Sequence, residues 1–305
     1  MNKIKYLIIC YLLLTTLFSC EKEGALETTN TKEDYFTISP DATDPVSILR
    51  RDFFERTGVH LLFNDTLRHE QRGYNSDGSP YWFTEVIDPA YGLTTSNTRN
   101  YQYEYLSDET VMQKSINFIE TYFLPRLGKQ LRPYSILIVQ QMYYLDDGYD
   151  SKWAPNVPTR YVTYFNGPRC FVINMSRIGD TEEKVNSNCQ KIFSDIIKAK
   201  IKLLDDKTMD EYYSICEAYY SKTLADFGLQ YRPTMEELYP YGFIDPYDGY
   251  TYGWFPSKSL DLNNFIKAFF ANSEEEFRTK YGAYPLLIQK YEVMKKIASD
   301  MGFVF

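Results

Sequence analysis

Apolar and polar positions along the 305-residue chain change period near its middle. From Gly58 to Asp65 the run "GVHLLFND" alternates as a strand does, and "GYNSDGSPY" after it is dense in turn formers. A helix is expected from about Glu109 to Leu131, where Val111, Ile116, Ile119, Tyr122 and Phe123 recur at helical spacing and Pro125 is placed to bend or divide it. "YSILIVQQMYYL" reads as a buried strand, and "RYVTYF" with "RCFVINM", joined by Asn166 and Gly167, as a hairpin.

A long helix follows. Asp180 is placed to cap it, and Glu183 to complete a capping box. Val185, Cys189, Ile192, Phe193, Ile196, Ile197, Ile201 and Leu204 occupy one broad arc; at about 100° per residue Ser194 and Lys198 fall just beyond its edge. Further helices are expected near Met209 to Phe227, then a long ordered loop from Tyr231 to Phe255. Toward the end Ser273 and Glu276 form a second capping box, Pro285 suits a first helical turn, and Leu287, Tyr291, Met294, Ala298 and Met301 line one face. Strands early and helices late give the α+β class.

The first nineteen residues have another logic. Lys3 and Lys5 precede an apolar run from Tyr6 to Phe18 that ends in "LFSC", the order of a bacterial signal peptide with a lipobox, cut before Cys20. The alternative, a membrane-spanning helix, is opposed by the shortness of the run against the roughly 20 residues a bilayer needs. Residues 1–19 are therefore read as a signal, 20–44 as a flexible polar tether, and 45–305 as a single domain. Lipid on Cys20 would anchor that domain at the outer membrane, on the cell surface or facing the periplasm. The acidic stretch after Cys20 resembles a surface-export signal and favours the surface.

With the signal removed, 31 Lys and Arg stand against 41 Asp and Glu, a net charge of −10. Nucleic acid, which needs a basic footprint, is excluded as a partner. Cys170, Cys189 and Cys216 remain beyond Cys20 with no C-x-x-C spacing; buried free thiols or a single disulfide are both compatible with that.

The lipobox, the strand "CFVINM", the helix "IFSDIIKAK" and the end "NNFIKAFFANSEEEF…LLIQKYEVMKKIASDMGF" together resemble the zinc-binding metallopeptidase lipoproteins of Bacteroidetes, from roughly Pro45 to Phe305. The resemblance implies a zincin-like domain, a small N-terminal sheet packed on helices with a helical C-terminal half. It also implies work beside a SusC-like TonB-dependent transporter and a SusD-like lipoprotein. Where that family carries H-E-x-x-H, this chain has Ser194, Asp195, Ile196, Ile197 and Lys198. Two imidazoles four residues apart bind zinc while the Glu activates water. Serine is a poor ligand, aspartate is shorter by a methylene, and the Lys198 ammonium brings repulsion and no lone pair. The only histidines, His60 and His69, are nine residues apart and supply no i, i+4 pair. Downstream, Asn263, Asn264 and Lys267 stand where the family has carboxylates. The expectation is a domain without a zinc site or other cofactor, with Asp195 and Lys198 pairing on a solvated helix edge.

Other chemistry is sparse. His69 beside Glu70 reads as surface loop, and the pairs Asp146–Asp147 and Asp205–Asp206 and the run Glu274–Glu276 sit where turns and helix starts favour acids. Aromatic content is the positive sign: 17% of residues, 29 of them Tyr, offer flat surfaces with polar edges suited to sugars or peptides. Tyr241, Tyr247, Tyr250, Tyr252, Trp254 and Phe255 crowd one segment, to be read as loop packing, a binding cleft or a protein contact. The reading is a non-catalytic binding subunit for an oligosaccharide or peptide; a hydrolase with a rebuilt site and a purely structural subunit are the alternatives.

Overall fold

The run Ser135–Leu145 lies at the centre of the main sheet. In a computed structural model the chain is described over residues 34–89, 101–145, 159–245 and 252–305. Cys20, Tyr247 and Tyr250, together with the signal and most of the tether, lie outside the described residues. The strands are β1 (His60–Leu62), β2 (Thr66–Tyr74), β3 (Pro80–Val86), β4 (Tyr101–Tyr105), β5 (Ser135–Leu145), β6 (Thr159–Tyr161), β7 (Tyr164–Asn166) and β8 (Cys170–Asn174). The longer helices are α1 (Pro45–Thr57), α2 (Glu109–Phe118), α3 (Glu182–Ile201), α4 (Lys258–Ala271), α5 (Glu274–Tyr281) and α6 (Pro285–Asp300). The chain is mixed α+β, about 47% helical and 20% strand, so helices supply most of what covers the sheet.

Two halves of β5 have different neighbours. From Ser135 to Val139 it pairs in parallel with β8, and from Ser135 to Leu137 with β1; beyond them it pairs antiparallel with β4 and β6. Parallel strands are covered on both faces and read as continuous apolar runs. That is why His60, Leu61 and Leu62 are all buried, where the sequence pattern suggests alternation. Leu61, Ile136, Ile138, Phe171 and Ile173 face the helical core, while Leu62, Leu137, Val139 and Val172 form a second core on the other face. Phe36 is buried in that second core, so packing begins inside the 20–44 segment read as tether: one large ring provides enough apolar area to fix the chain there.

Other sequence expectations are revised. The helix begun at Asp108 does not reach Leu131: it widens to a π turn over Ile119–Phe123, tightens over Leu124–Arg126 and stops, because Pro125 has no N–H to donate to the preceding turn. The hairpin around Gly167 is short; Tyr164–Asn166 pairs with β8, but Thr159–Tyr161 pairs with β5 instead. His69 and Glu70 lie in strand β2 of a separate two-stranded sheet with β3, not in a loop. Residues 209–227 hold only short turns of helix, and the expected loop from Tyr231 includes a helical turn capped by Thr234 and Glu237. Thr181, not Asp180, caps α3, its hydroxyl accepting from Lys184 N at 3.3 Å; Asp180 pairs with the Lys184 ammonium in solvent. The second capping box, Ser273 with Glu276, forms as expected, as does the Pro285 start of α6.

The chain's end returns to the middle. Gly128 N donates to Gly302 O at 2.7 Å, and a Cβ on Gly128 would stand 2.6 Å from that oxygen, so only glycine allows this approach. It sets Phe303 and Phe305 against α3 and α4.

Candidate functional site

A cleft of about 760 Å³ opens between α3, the start of α5 and the last residues of the chain. That volume suits a small ligand, for which pockets run roughly 300–1,000 Å³. Its floor is a set of rings meeting mostly edge to face: Phe193 on Phe303 at 5.3 Å, Phe270 on Phe303 at 5.0 Å, Phe269 on Phe305 at 5.7 Å, and Tyr291 on Phe269 at 4.9 Å. Most of these rings are buried, whereas Phe305 keeps 46% of its surface exposed. The rim is polar and carries more acid than base: Arg126, Glu182, Glu274 and Glu276 with Asn186, Gln190 and Asn272. An apolar floor ringed by amides, carboxylates and one guanidinium can hold a ligand that has an apolar face and hydrogen-bonding edges.

The floor is held by an ion pair inside the protein. Lys290 of α6 and Asp261 of α4 meet at 2.7 Å, both shut away from solvent. The ammonium also donates to Gly242 O at 2.8 Å and lies over the rings of Phe243 and Tyr212, and Tyr220 Oη donates to Asp261 at 2.7 Å. Tyr212 Oη makes no well-formed hydrogen bond, and burial together with the nearby Asp261 carboxylate raises its pKa. Burial pushes the Asp261 carboxyl upward, against the opposing pull of Lys290 and the hydroxyls. The pair ties together the two helices that present Phe269, Phe270 and Tyr291.

Ser194, Asp195 and Lys198, the positions expected in place of H-E-x-x-H, are elsewhere. At about 100° per residue, Asp195 and Lys198 lie on the far side of α3 from the arc Glu182, Asn186, Cys189 and Phe193 that faces the cleft. Ser194, expected just outside the apolar arc, is buried at 4% exposure and its hydroxyl has no hydrogen-bond partner. Asp195 accepts from Tyr164 Oη at 2.5 Å and pairs with Lys198 Nζ at 3.2 Å, as its spacing suggests. Burial, then the Asp195 carboxylate, raise the Tyr164 hydroxyl's pKa well above its ordinary value. Both Asp195 oxygens are thus engaged, one by a cation, and the residues at these positions do not fit a zinc ion. The two histidines are separated as well: His60 is buried against Phe54 and Tyr134, His69 exposed on β2. Among the described residues no cluster of three His, Cys, Asp or Glu is arranged to hold a metal, and no helix is long and apolar enough to cross a membrane.

The aromatic segment divides. Phe255 is buried and Tyr241 half-buried in a third core with Tyr220, Leu238 and Phe243. Tyr252 lies under Arg232 at 4.1 Å, and Trp254 is half exposed beside Thr223. None of these four lines the cleft. The cleft rings escaped the sequence reading because "AFF" in α4 and "FVF" at the end have the composition of ordinary core. Cys170, Cys189 and Cys216 are free and buried, and burial pushes the Cys189 thiol, which lines the cleft, up to about 12.

Compared with protein-family models, with curated proteins and with solved structures, the chain matches none.

Proposed function

We propose that this protein is a lipid-anchored outer-membrane accessory that captures an oligosaccharide or peptide in the cleft beside α3 and does not cut it by zinc chemistry. The observation that carries the reading is the cleft itself, with buried rings below and amides, Arg126 and the carboxylates of Glu182, Glu274 and Glu276 at its rim. The engaged state of Asp195 supports the second half: its carboxylate is held by Tyr164 and by the Lys198 ammonium, a cation that would repel a metal ion there. The zincin-like fold, the anchor at Cys20 and work beside a SusC-like transporter with its SusD-like lipoprotein belong to the same proposal and rest on the sequence resemblance.

Calorimetry with a panel of neutral hexasaccharides and hexapeptides tests the cleft. Phe305→Ala should weaken the ligand that binds by roughly tenfold, the loss of one well-packed aromatic contact. Unchanged affinity would remove the cleft from the site. Metal analysis of protein purified without added zinc tests the other half, and near-stoichiometric zinc would overturn it. Cross-linking in outer membranes, with the captured proteins identified, tests the transporter partnership; absence of a TonB-dependent transporter among them would end it.

A further inference from the structure

The two-stranded sheet of β2 and β3 has two unlike faces. The pairs Arg68 with Glu85 and Glu70 with Phe83 put Arg68, Glu70, Phe83 and Glu85 on one face, half-buried. The pairs His69 with Thr84 and Gln71 with Trp82 put four uncharged or imidazole side chains on the other, all exposed. Pairing of Tyr74 with Pro80, two residues from Trp82, places Tyr74 on that same face. Trp82 is 51% exposed and Tyr74 72%. Two exposed rings on one face of a strongly acidic chain are an unusual expenditure of aromatic area unless something covers them.

The ladder shifts register between Gln71 and Tyr74, but one ring of the face is held in place. Trp82 lies on His69 with centroids 4.8 Å apart and planes within 5°, and His69 Nδ1 meets Thr84 Oγ1 at 2.7 Å. The indole therefore has its orientation set before any ligand arrives, which removes part of the ordering cost of binding. Around it stand an amide, an imidazole and a hydroxyl, with Pro80 and Val86 farther along β3 on the same face. A pyranose has a matching form, C–H bonds on its face and hydroxyls on its periphery. Tyr74 on β2 and Trp82 on β3 are diagonal neighbours across the ladder, a relation that spans roughly 7–8 Å, so they can stack on neighbouring units of one extended chain. Charge supports a neutral occupant, since no Lys, Arg, Asp or Glu of either strand lies on this face.

We infer that this sheet face is a second binding site, which takes an extended, neutral, β-linked glycan by stacking on Trp82 and Tyr74. It does not rest on the cleft.

The test uses the full-length lipoprotein in detergent, titrated with cellohexaose and xylohexaose as extended probes and maltohexaose as a coiled one. The extended probes should bind in preference to maltohexaose. Trp82→Ala should weaken them about tenfold and Tyr74→Ala severalfold. Trp82→Phe should keep part of the affinity, and Arg72→Ala and Phe305→Ala should leave it unchanged. Circular dichroism of Trp82→Ala should match the parent, showing that the sheet survives; if it does not, Trp82→Phe and Tyr74→Ala decide. No binding of either extended probe overturns the inference, as does binding that is indifferent to both rings or lost only in Phe305→Ala. Loss in Trp82→Ala of a cross-linked membrane protein without loss of glycan affinity would make the face a protein contact and overturn it equally.

Discussion

The ammonium of Lys290 and the carboxylate of Asp261 meet at 2.7 Å with neither side chain reaching water. Two charges withdrawn from solvent offset their desolvation only while both are present. Removing either leaves the other stranded. Asp261→Asn should cost about 3–5 kcal/mol, measured by urea unfolding, whereas Lys290→Met with Asp261→Leu should recover most of that loss.

The same pair carries a pH signature. Burial raises Asp261 above its ordinary 3.8, so the folded state holds that proton more tightly than the unfolded chain. In Lys290→Met the remaining carboxyl loses its cation, and lowering the pH should protonate it and narrow the stability deficit. Thermal melts between pH 7 and pH 5 check this. A deficit that stays constant or widens would mean the carboxyl is not the stranded group.

Asp108 should behave in the opposite sense. Its carboxylate accepts from Thr110 N at 2.7 Å and Val111 N at 3.2 Å at the start of α2, and these bonds hold its pKa below 3.8. Its contribution is complete above 3.8 and is lost as the pH falls through the lowered value. The melting-point gap between the parent and Asp108→Ala should be wide at pH 7 and close in acid.

Ser194 sits buried with an unpartnered hydroxyl, a group that costs stability when nothing bonds it. Ser194→Ala should be neutral or stabilising, by up to about 1 kcal/mol. Ser194→His should overfill the site and cost roughly 1–3 kcal/mol. A destabilised alanine variant would show that the hydroxyl has a partner in solution.

Thiol chemistry offers a further check. Cys170 and Cys216 are pushed up to about 11 and Cys189 to about 12, all by burial. Peptide mapping after iodoacetamide at pH 8 should find all three unmodified in the folded protein and all three alkylated in guanidinium, since only the thiolate reacts.

What the sequence determined by itself are the features fixed within a few residues. The Ser273–Glu276 box, the Pro285 start, the apolar run of β5 and the face Leu287, Tyr291, Met294 and Ala298 depend on near neighbours alone, and the fold keeps them. That the two histidines, nine residues apart, supply no i, i+4 pair is likewise plain in the chain. Tertiary structure decided the rest, because it turns on partners far apart in sequence. Ser194 is buried although its own helix places it at the edge of the apolar arc, and Asp195 is occupied because Tyr164 is 31 residues away in sequence but at 2.5 Å in space. Lys290, one polar position in an amphipathic helix, goes inward because Asp261 awaits it there. The cleft exists because Gly128 and Gly302 bring the end of the chain back against α3, a contact between segments that no periodicity can register.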